Sequence, residues 1–297
     1  MVKLFGAEKS ADAGSNRTLS ETRQATLKSY VSATEFKGRP SFATFNDCYD
    51  NEEIKNDLEK AKELRTKFTT QETKQPPEAQ EANLYAKALE VAILELGNEW
   101  LPGVTVSRSS FYDDYARGLD LFLEFKDEAG VVQRVGIDVT SSEREAVSKL
   151  LDIYTQLKQG LFAAAKYFRS KLDDTKGTAV MQRLIIGADR TTMITFFKLY
   201  SEYLQKISTD TGIALKKQMG EHGIKNEIIL QLQIEIERCL DIMTDISETH
   251  GTETVRHALQ TLKEKLSHEK NKVSSQAASL AGDRVSNAVL ETSTAAL

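Results

Sequence analysis

The sequence predicts an α/β domain built around a mixed sheet, on three observations. β-type runs VTVS (104–107), LDLFLEF (119–125) and VVQRVGIDV (131–139) follow one another closely, with helical apolar stripes before and after them. A further β-type run, VMQRLIIGAD (180–189), comes after the next helical segment, and FFKLYSEYLQKI (196–207) is helical again. An order of helix, three strands, helix, strand and helix closes most simply as a sheet with helices packed against it.

Each element has a local reason. Residues 1–77 read as a polar N-terminal segment, loop-like at 7–20 and 38–47, with one amphipathic helix. Asp50 and Glu53 form its capping signature, and Ile54, Leu58, Ala61, Leu64 and Phe68 recur at helical spacing. Pro76 and Pro77 interrupt that helix. The core, 78–210, opens with a helix striped by Ala82, Tyr85, Leu89, Ile93 and Leu96 and ending near Gly97. Asp127, Glu128 and Gly130 supply turn chemistry between the second and third β runs, so a hairpin is expected there. Ser142 caps a helix expected from Glu143 to about Arg169, kinked at Gly160, and Thr191 or Thr192 opens the helix after the fourth β run. In 211–272, Ile229, Leu232, Ile236, Cys239, Met243 and Ile246, then Val255, Leu259, Leu262 and Leu266, predict a helical hairpin. Its stripes suit either packing on the core or a homodimer through the C-terminal helices. Residues 273–297, rich in Ser and Ala, read as a frayed tail.

Composition bounds the function. The 297 residues are 40% hydrophobic and 28% charged, with 16 Gly and 4 Pro, as in a helix-rich globular chain. No run approaches the roughly 18 apolar residues of a membrane span, and the N-terminus has no apolar core of a signal peptide, so a cytoplasmic protein without membrane partners is expected. Cys48 and Cys239 match no metal or redox spacing and read as free thiols. His222, His250, His257 and His268 form no metal motif and read as surface groups. Phosphate-binding glycine loops are missing, and no pattern nominates a nucleophilic triad. A net charge of −5 gives no global attraction to nucleic acid, so such a partner would need a local patch.

The chemically informative stretch is FYDDYARGLDLFLEFKDEAGVVQRVGIDVTSS, 111–142, which sets Asp120 and Asp138 among strand-type apolar residues. A carboxylate there is costly unless compensated, and a divalent cation is a common compensator. Metal-dependent phosphodiester hydrolysis needs several hard oxygen ligands held at one point, so that Mg²⁺ or Mn²⁺ can activate water. If the hairpin forms, Asp120 and Asp138 converge, and Glu90 or Glu95 on the preceding helix can join them. Asp113 and Asp114 are close enough to add a ligand or cap the strand, and Glu124 shares a strand face with Asp120. Plain readings compete: Asp138 as a helix or turn cap, Asp120 as a turn residue after Gly118, Glu124 as an exposed hairpin residue.

FYDDYARGLDLFLEF, GIDVTSS, KYFRSK (166–171) and LIIGAD (184–189) together resemble a largely uncharacterised bacterial group in or near the PD-(D/E)xK nuclease superfamily, over about Glu78 to Ile207. The resemblance implies a restriction-endonuclease-like core, flanked here by an N-terminal helical arm and the C-terminal hairpin. It makes Asp120 and Asp138 catalytic acids and metal ligands, with the Val139 carbonyl a further ligand. That pattern expects lysine two residues after the second acid, where this chain has Thr140, whose hydroxyl carries no charge. Some superfamily members carry the lysine on the following helix. Lys149, the first lysine after Asp138, is then the candidate, unless it is an ordinary surface lysine.

Lys158, Lys166 and Arg169 would share a face with Phe162 if the helix continued through Gly160, forming a strip able to contact phosphates and stack bases. The bland reading is a core helix with a basic edge. Gln156 could approach the site from the same helix. The function expected is a metal-dependent nuclease acting on DNA rather than RNA. The alternative is a catalytically degenerate nuclease-fold protein that binds partners or nucleic acid, which Thr140 favours.

Overall fold

The computed structural model describes residues 18–247 and 249–273, with isolated positions 288, 291 and 292, and leaves the side chains of His250 and of residues 268–273 undescribed. Most of the tail expected to fray lies outside the described residues.

Among the described residues, two α-helices rather than one occupy the N-terminal segment: α1, Glu21–Thr34, and α2, Asn51–Thr73. Helix α1 buries only Leu27 and Thr34, so it carries no apolar stripe for a periodicity argument to find. Helix α2 is capped as expected, the Asp50 carboxylate accepting the Glu53 N–H at 2.7 Å. Helix α3, Pro77–Trp100, starts with proline at its first position and buries Tyr85, Leu89, Ile93 and Leu96. It runs past Gly97 because that glycine serves packing rather than termination: a Cβ there would lie 2.3 Å from Val106 Cγ2.

The sheet has five strands, β1 Val104–Arg108, β2 Leu121–Lys126, β3 Val132–Thr140, β4 Ala163–Arg169 and β5 Lys176–Gly187, in the order β1-β2-β3-β5-β4. Only β3 and β5 are parallel; the other pairs are antiparallel. The fold is therefore α/β with a five-stranded mixed sheet flanked by helices. The β2–β3 hairpin forms as expected, with Gly130 at φ +81° and the Asp127 carboxylate accepting the Val131 N–H at 2.8 Å. A short helix, α4 Phe111–Arg117, precedes β2 and is too brief to show a stripe.

The helix expected to reach Arg169 is corrected. Helix α5 is Glu143–Lys158, Gly160 takes φ +70°, and residues 163–169 are strand β4. Over that short apolar run helical and strand patterns are indistinguishable, and pairing with β5, Ala165 opposite Ala179 and Ala163 opposite Met181, decides the outcome.

Helices α6, Arg190–Lys206, α7, Asp210–Gly220, α8, Gly223–Thr244, and α9, His250–Val273, follow β5. Asp189 caps α6, accepting the Thr192 N–H at 2.9 Å. The stripes of α8 and α9 are occupied within the chain, since Ile229, Leu232, Ile236, Cys239, Met243, Val255, Leu259, Leu262 and Leu266 are all buried in the main core. Helix α8 also completes the sheet. Strand β4 pairs with β5 only as far as Met181, and beyond it Glu235 accepts the Ile185 N–H at 2.8 Å while the Gln231 amide brackets both backbone groups of Gly187, at 2.9 and 2.8 Å. Side chains of a helix thus replace a missing neighbouring strand. His222 is not a surface group: it is half-buried and its Nδ1 accepts the Ile224 N–H at the start of α8. Among the described residues, no helix is long and apolar enough to cross a membrane.

Candidate active site

A cavity of about 1010 Å³ opens among α2, α3, α4 and α5 where β2 begins and β3 ends. Glu90, Asp114, Asp120, Asp138, Thr140, Lys149 and Gln156 all line it, together with Val139. The hairpin explains the two aspartates. Gly118 ends α4 in the left-handed region, φ +64°, and turns the chain into β2. The Asp120 N–H then donates to the Ile137 carbonyl at 2.8 Å, and Asp120 Oδ2 accepts the Val139 N–H at 2.7 Å. Asp120 is in this way fastened to the strand that carries Asp138.

Lys149 reaches the site from α5. Its Nζ lies 2.6 Å from Asp138 Oδ1, and the side chain keeps 34% of its surface exposed. A cap sets this reach: Ser142 Oγ accepts the Glu145 N–H at 3.3 Å, starting α5 so that Lys149 lies nearly two turns along it. Thr140 takes no part in charge balance. Its hydroxyl donates to Glu145 at 3.3 Å and accepts the Ser142 N–H at 3.2 Å, shaping the turn into α5.

The carboxylates are short of positive charge. Glu90 makes no hydrogen bond among the described residues, and burial, then the Asp114 charge, push its pKa up to about 8 despite Arg39, Arg108 and Lys87. Asp120 is held well above the ordinary carboxylate range by burial and by Glu90, Asp114 and Asp138, with the Val139 N–H opposing. Burial raises Asp138 too, partly offset by Lys149. Burial works against the charged form of Lys149, but Asp138 outweighs it and the ammonium is favoured. Asp114 is paired at 2.7 Å with Arg39, whose guanidinium lies 4.5 Å from the centre of the Phe111 ring.

These groups fit a hard divalent cation by donor chemistry, all oxygen and with too little positive charge beside them. They do not form a ready cage: among the described residues, no three Asp, Glu, His or Cys side chains stand together closely enough to hold one ion.

Two candidate acids lie elsewhere. Glu95 accepts hydrogen bonds from Tyr30 and, at 2.7 Å, from Tyr200, in the packing of α3 against α1 and α6. Glu124 is buried rather than exposed at the hairpin; it accepts the Ser170 hydroxyl at 2.5 Å and the Lys171 N–H at 2.8 Å and holds the turn after β4. The basic strip is dispersed with the helix that would have carried it. Lys166 pairs with Glu53 at 2.5 Å and with Asp57, Arg169 is exposed at the end of β4, and Lys158 lines a separate cavity of about 630 Å³. Gln156 donates to Asp152 at 2.9 Å at the cavity wall.

Sequence reasoning missed Arg39, Arg117 and Arg183. Arg183 donates to Asp152 at 3.3 Å and to the Arg117 carbonyl at 3.2 Å, and its charge reaches Asp138. Its signal was available, a lone cation inside the apolar run VMQRLIIGAD; Arg39 left none, since its partner Asp114 is distant in sequence.

Comparison with protein-family models, with curated proteins and with solved structures found no match.

Proposed function

We propose that this chain is a metal-dependent nuclease with a restriction-endonuclease-like core, cleaving DNA in preference to RNA. The observation that carries the reading is the convergence of Glu90, Asp120, Asp138 and Lys149 on one open cavity. The antiparallel strands β1, β2 and β3 between α3 and α5, with β5 parallel to β3, support it, although α4 stands between β1 and β2 and β4 between α5 and β5.

In this reading Asp120 and Asp138 would hold Mg²⁺ or Mn²⁺ with Glu90 and the Val139 carbonyl. The cation, when bound, would lower the pKa of a water and neutralise charge developing on the phosphate. Asp120 Oδ2 is engaged by the Val139 N–H and Asp138 Oδ1 by Lys149, so each carboxylate has a second oxygen outside those contacts. Asp114 stays with Arg39 and adds to the negative field. Lys149 supplies the positive charge that Thr140 cannot, either left on Asp138 or turned toward the scissile phosphate. Arg183 steadies the wall beside it.

A second reading has its own support. The Asp138–Lys149 pair is already closed at 2.6 Å, and Thr140 is committed to a turn, as suits a nuclease fold that binds without cutting. One assay separates the two: cleavage of single- and double-stranded DNA and of RNA with Mg²⁺ or Mn²⁺, for wild type, Asp120→Ala and Asp138→Ala. The nuclease reading expects each variant to lose at least about 100-fold in rate, the scale of removing one electrostatic stabiliser. Equal rates in all three proteins would end it. In parallel, Mg²⁺ alone should raise the wild-type melting temperature at pH 8 and leave Asp138→Ala unmoved.

A further inference from the structure

Three aromatic rings form a ladder beside the acids. Phe111 and Tyr115 of α4 stack at 6.2 Å with an interplanar angle of 8°, and Tyr115 and Phe68 of α2 stack at 5.8 Å and 19°. The inner end is closed by Arg39 over Phe111. The outer end is open: Phe68 lines the cavity and is 45% exposed. A phenylalanine with nearly half its surface exposed at the end of a stack, on a helix that buries Ile54 and Ala61, is positioned to receive another planar ring.

The surroundings define that ring. Lys87, Arg117, Lys149 and Arg183, each ion-paired with a carboxylate, line the same cavity as Phe68, so cations that can meet phosphates share it with the acids proposed to hold the metal. A volume of about 1010 Å³ accommodates a few nucleotides at most. Bases in a duplex also have no free face to offer a protein ring.

We infer that Phe68 is a stacking platform for an unpaired base, so that the DNA reaching the carboxylates is single-stranded. This deepens the nuclease reading and rests on it. Lys87 and Arg117 then contact the backbone on either side of the stacked base.

The test is fluorescence anisotropy in EDTA with four labelled probes: a short oligothymidylate, an abasic strand of equal length, the corresponding duplex, and oligouridylate. Oligothymidylate should bind more tightly than each of the others, and Phe68→Ala should weaken it about tenfold, the scale of one lost stack, while leaving the abasic strand unchanged. Phe68→Trp should restore the affinity, and the new indole should be quenched by oligothymidylate, Trp100 being buried. A Phe68→Ala protein that melts like wild type and binds oligothymidylate equally well overturns the inference, as does equal or tighter binding of the abasic strand, the duplex or oligouridylate. Cleavage is read separately. Base-dependent binding with no metal-dependent cleavage would remove the nuclease reading alone, whereas Asp138-dependent cleavage with base-indifferent binding would remove the platform alone.

Discussion

Asp113 and Asp120 are carboxylates of one short segment, Asp113 buried and Asp120 half-buried at the cavity, and they live in opposite surroundings. Asp113 accepts the Lys166 N–H at 2.6 Å, the Tyr167 N–H at 2.9 Å and the Ser110 hydroxyl at 2.7 Å, so it pins α4 to β4. Asp120 accepts a single N–H, from Val139, and faces Glu90, Asp114 and Asp138. Glu124 and Glu95 belong with Asp113, each engaged by hydroxyl or N–H donors. Burial among apolar residues therefore does not by itself mark a site. Acids with donors hold the fold together, and acids that face one another are available for chemistry.

Breaking Asp113 should cost the most stability. Asp113→Ala leaves the Lys166 and Tyr167 N–H groups without their partner, and urea unfolding should record a loss of about 2–6 kcal/mol, from roughly 1–3 per unsatisfied buried group. A loss below about 1 kcal/mol would mean that the carboxylate is replaceable and would dissolve the contrast with Asp120.

Relieving Glu90 should have a smaller effect of the opposite sign. A glutamate with folded pKa near 8 binds its proton more tightly when folded, so its contribution is complete below the ordinary value near 4.5 and is lost as pH rises toward 8. Glu90→Gln removes that loss. Unfolding midpoints of variant and wild type should agree near pH 4.5 and diverge steadily to pH 8, where the variant leads by about 1 kcal/mol or more. Mg²⁺ should narrow the gap by stabilising only the wild type. A gap independent of pH would show that Glu90 is already charged without strain.

The smallest effect is expected at the surface. His257 Nε2 lies 2.8 Å from Asp127 Oδ2, joining α9 to the hairpin turn, and the hydrogen bond holds Asp127 below the usual carboxylate value. The histidine is more than half exposed, so His257→Ala should leave the urea midpoint nearly unchanged at every pH. A clear shift would place this turn among the load points of the fold beside Asp113.

Elements whose causes are local were legible in the chain. Asp50 and Ser142 cap the helices they precede, and the Asp127–Gly130 turn closes the hairpin, because a cap or tight turn involves residues three or four apart. The position of Lys149 followed from the start of α5. Strand β4 was not legible, because its short apolar run fits either period until β5 lies beside it. Helix α4 was too short to show a pattern, and Phe68 looked like one more member of an α2 stripe although its face is open to the cavity.

By itself the sequence determined the α/β class, the hairpin that carries Asp120 and Asp138, and the shortlist of acids. Tertiary structure decided which acids are engaged and which face one another. The physical reason lies in the donors: Ser170 and Lys171 for Glu124, Tyr30 and Tyr200 for Glu95, Lys166 and Tyr167 for Asp113. They come from segments far along the chain, and no pattern around an acid shows whether a distant donor will arrive. Glu90 and Asp120 are left with few donors of their own, so their charges fall on one another across the cavity.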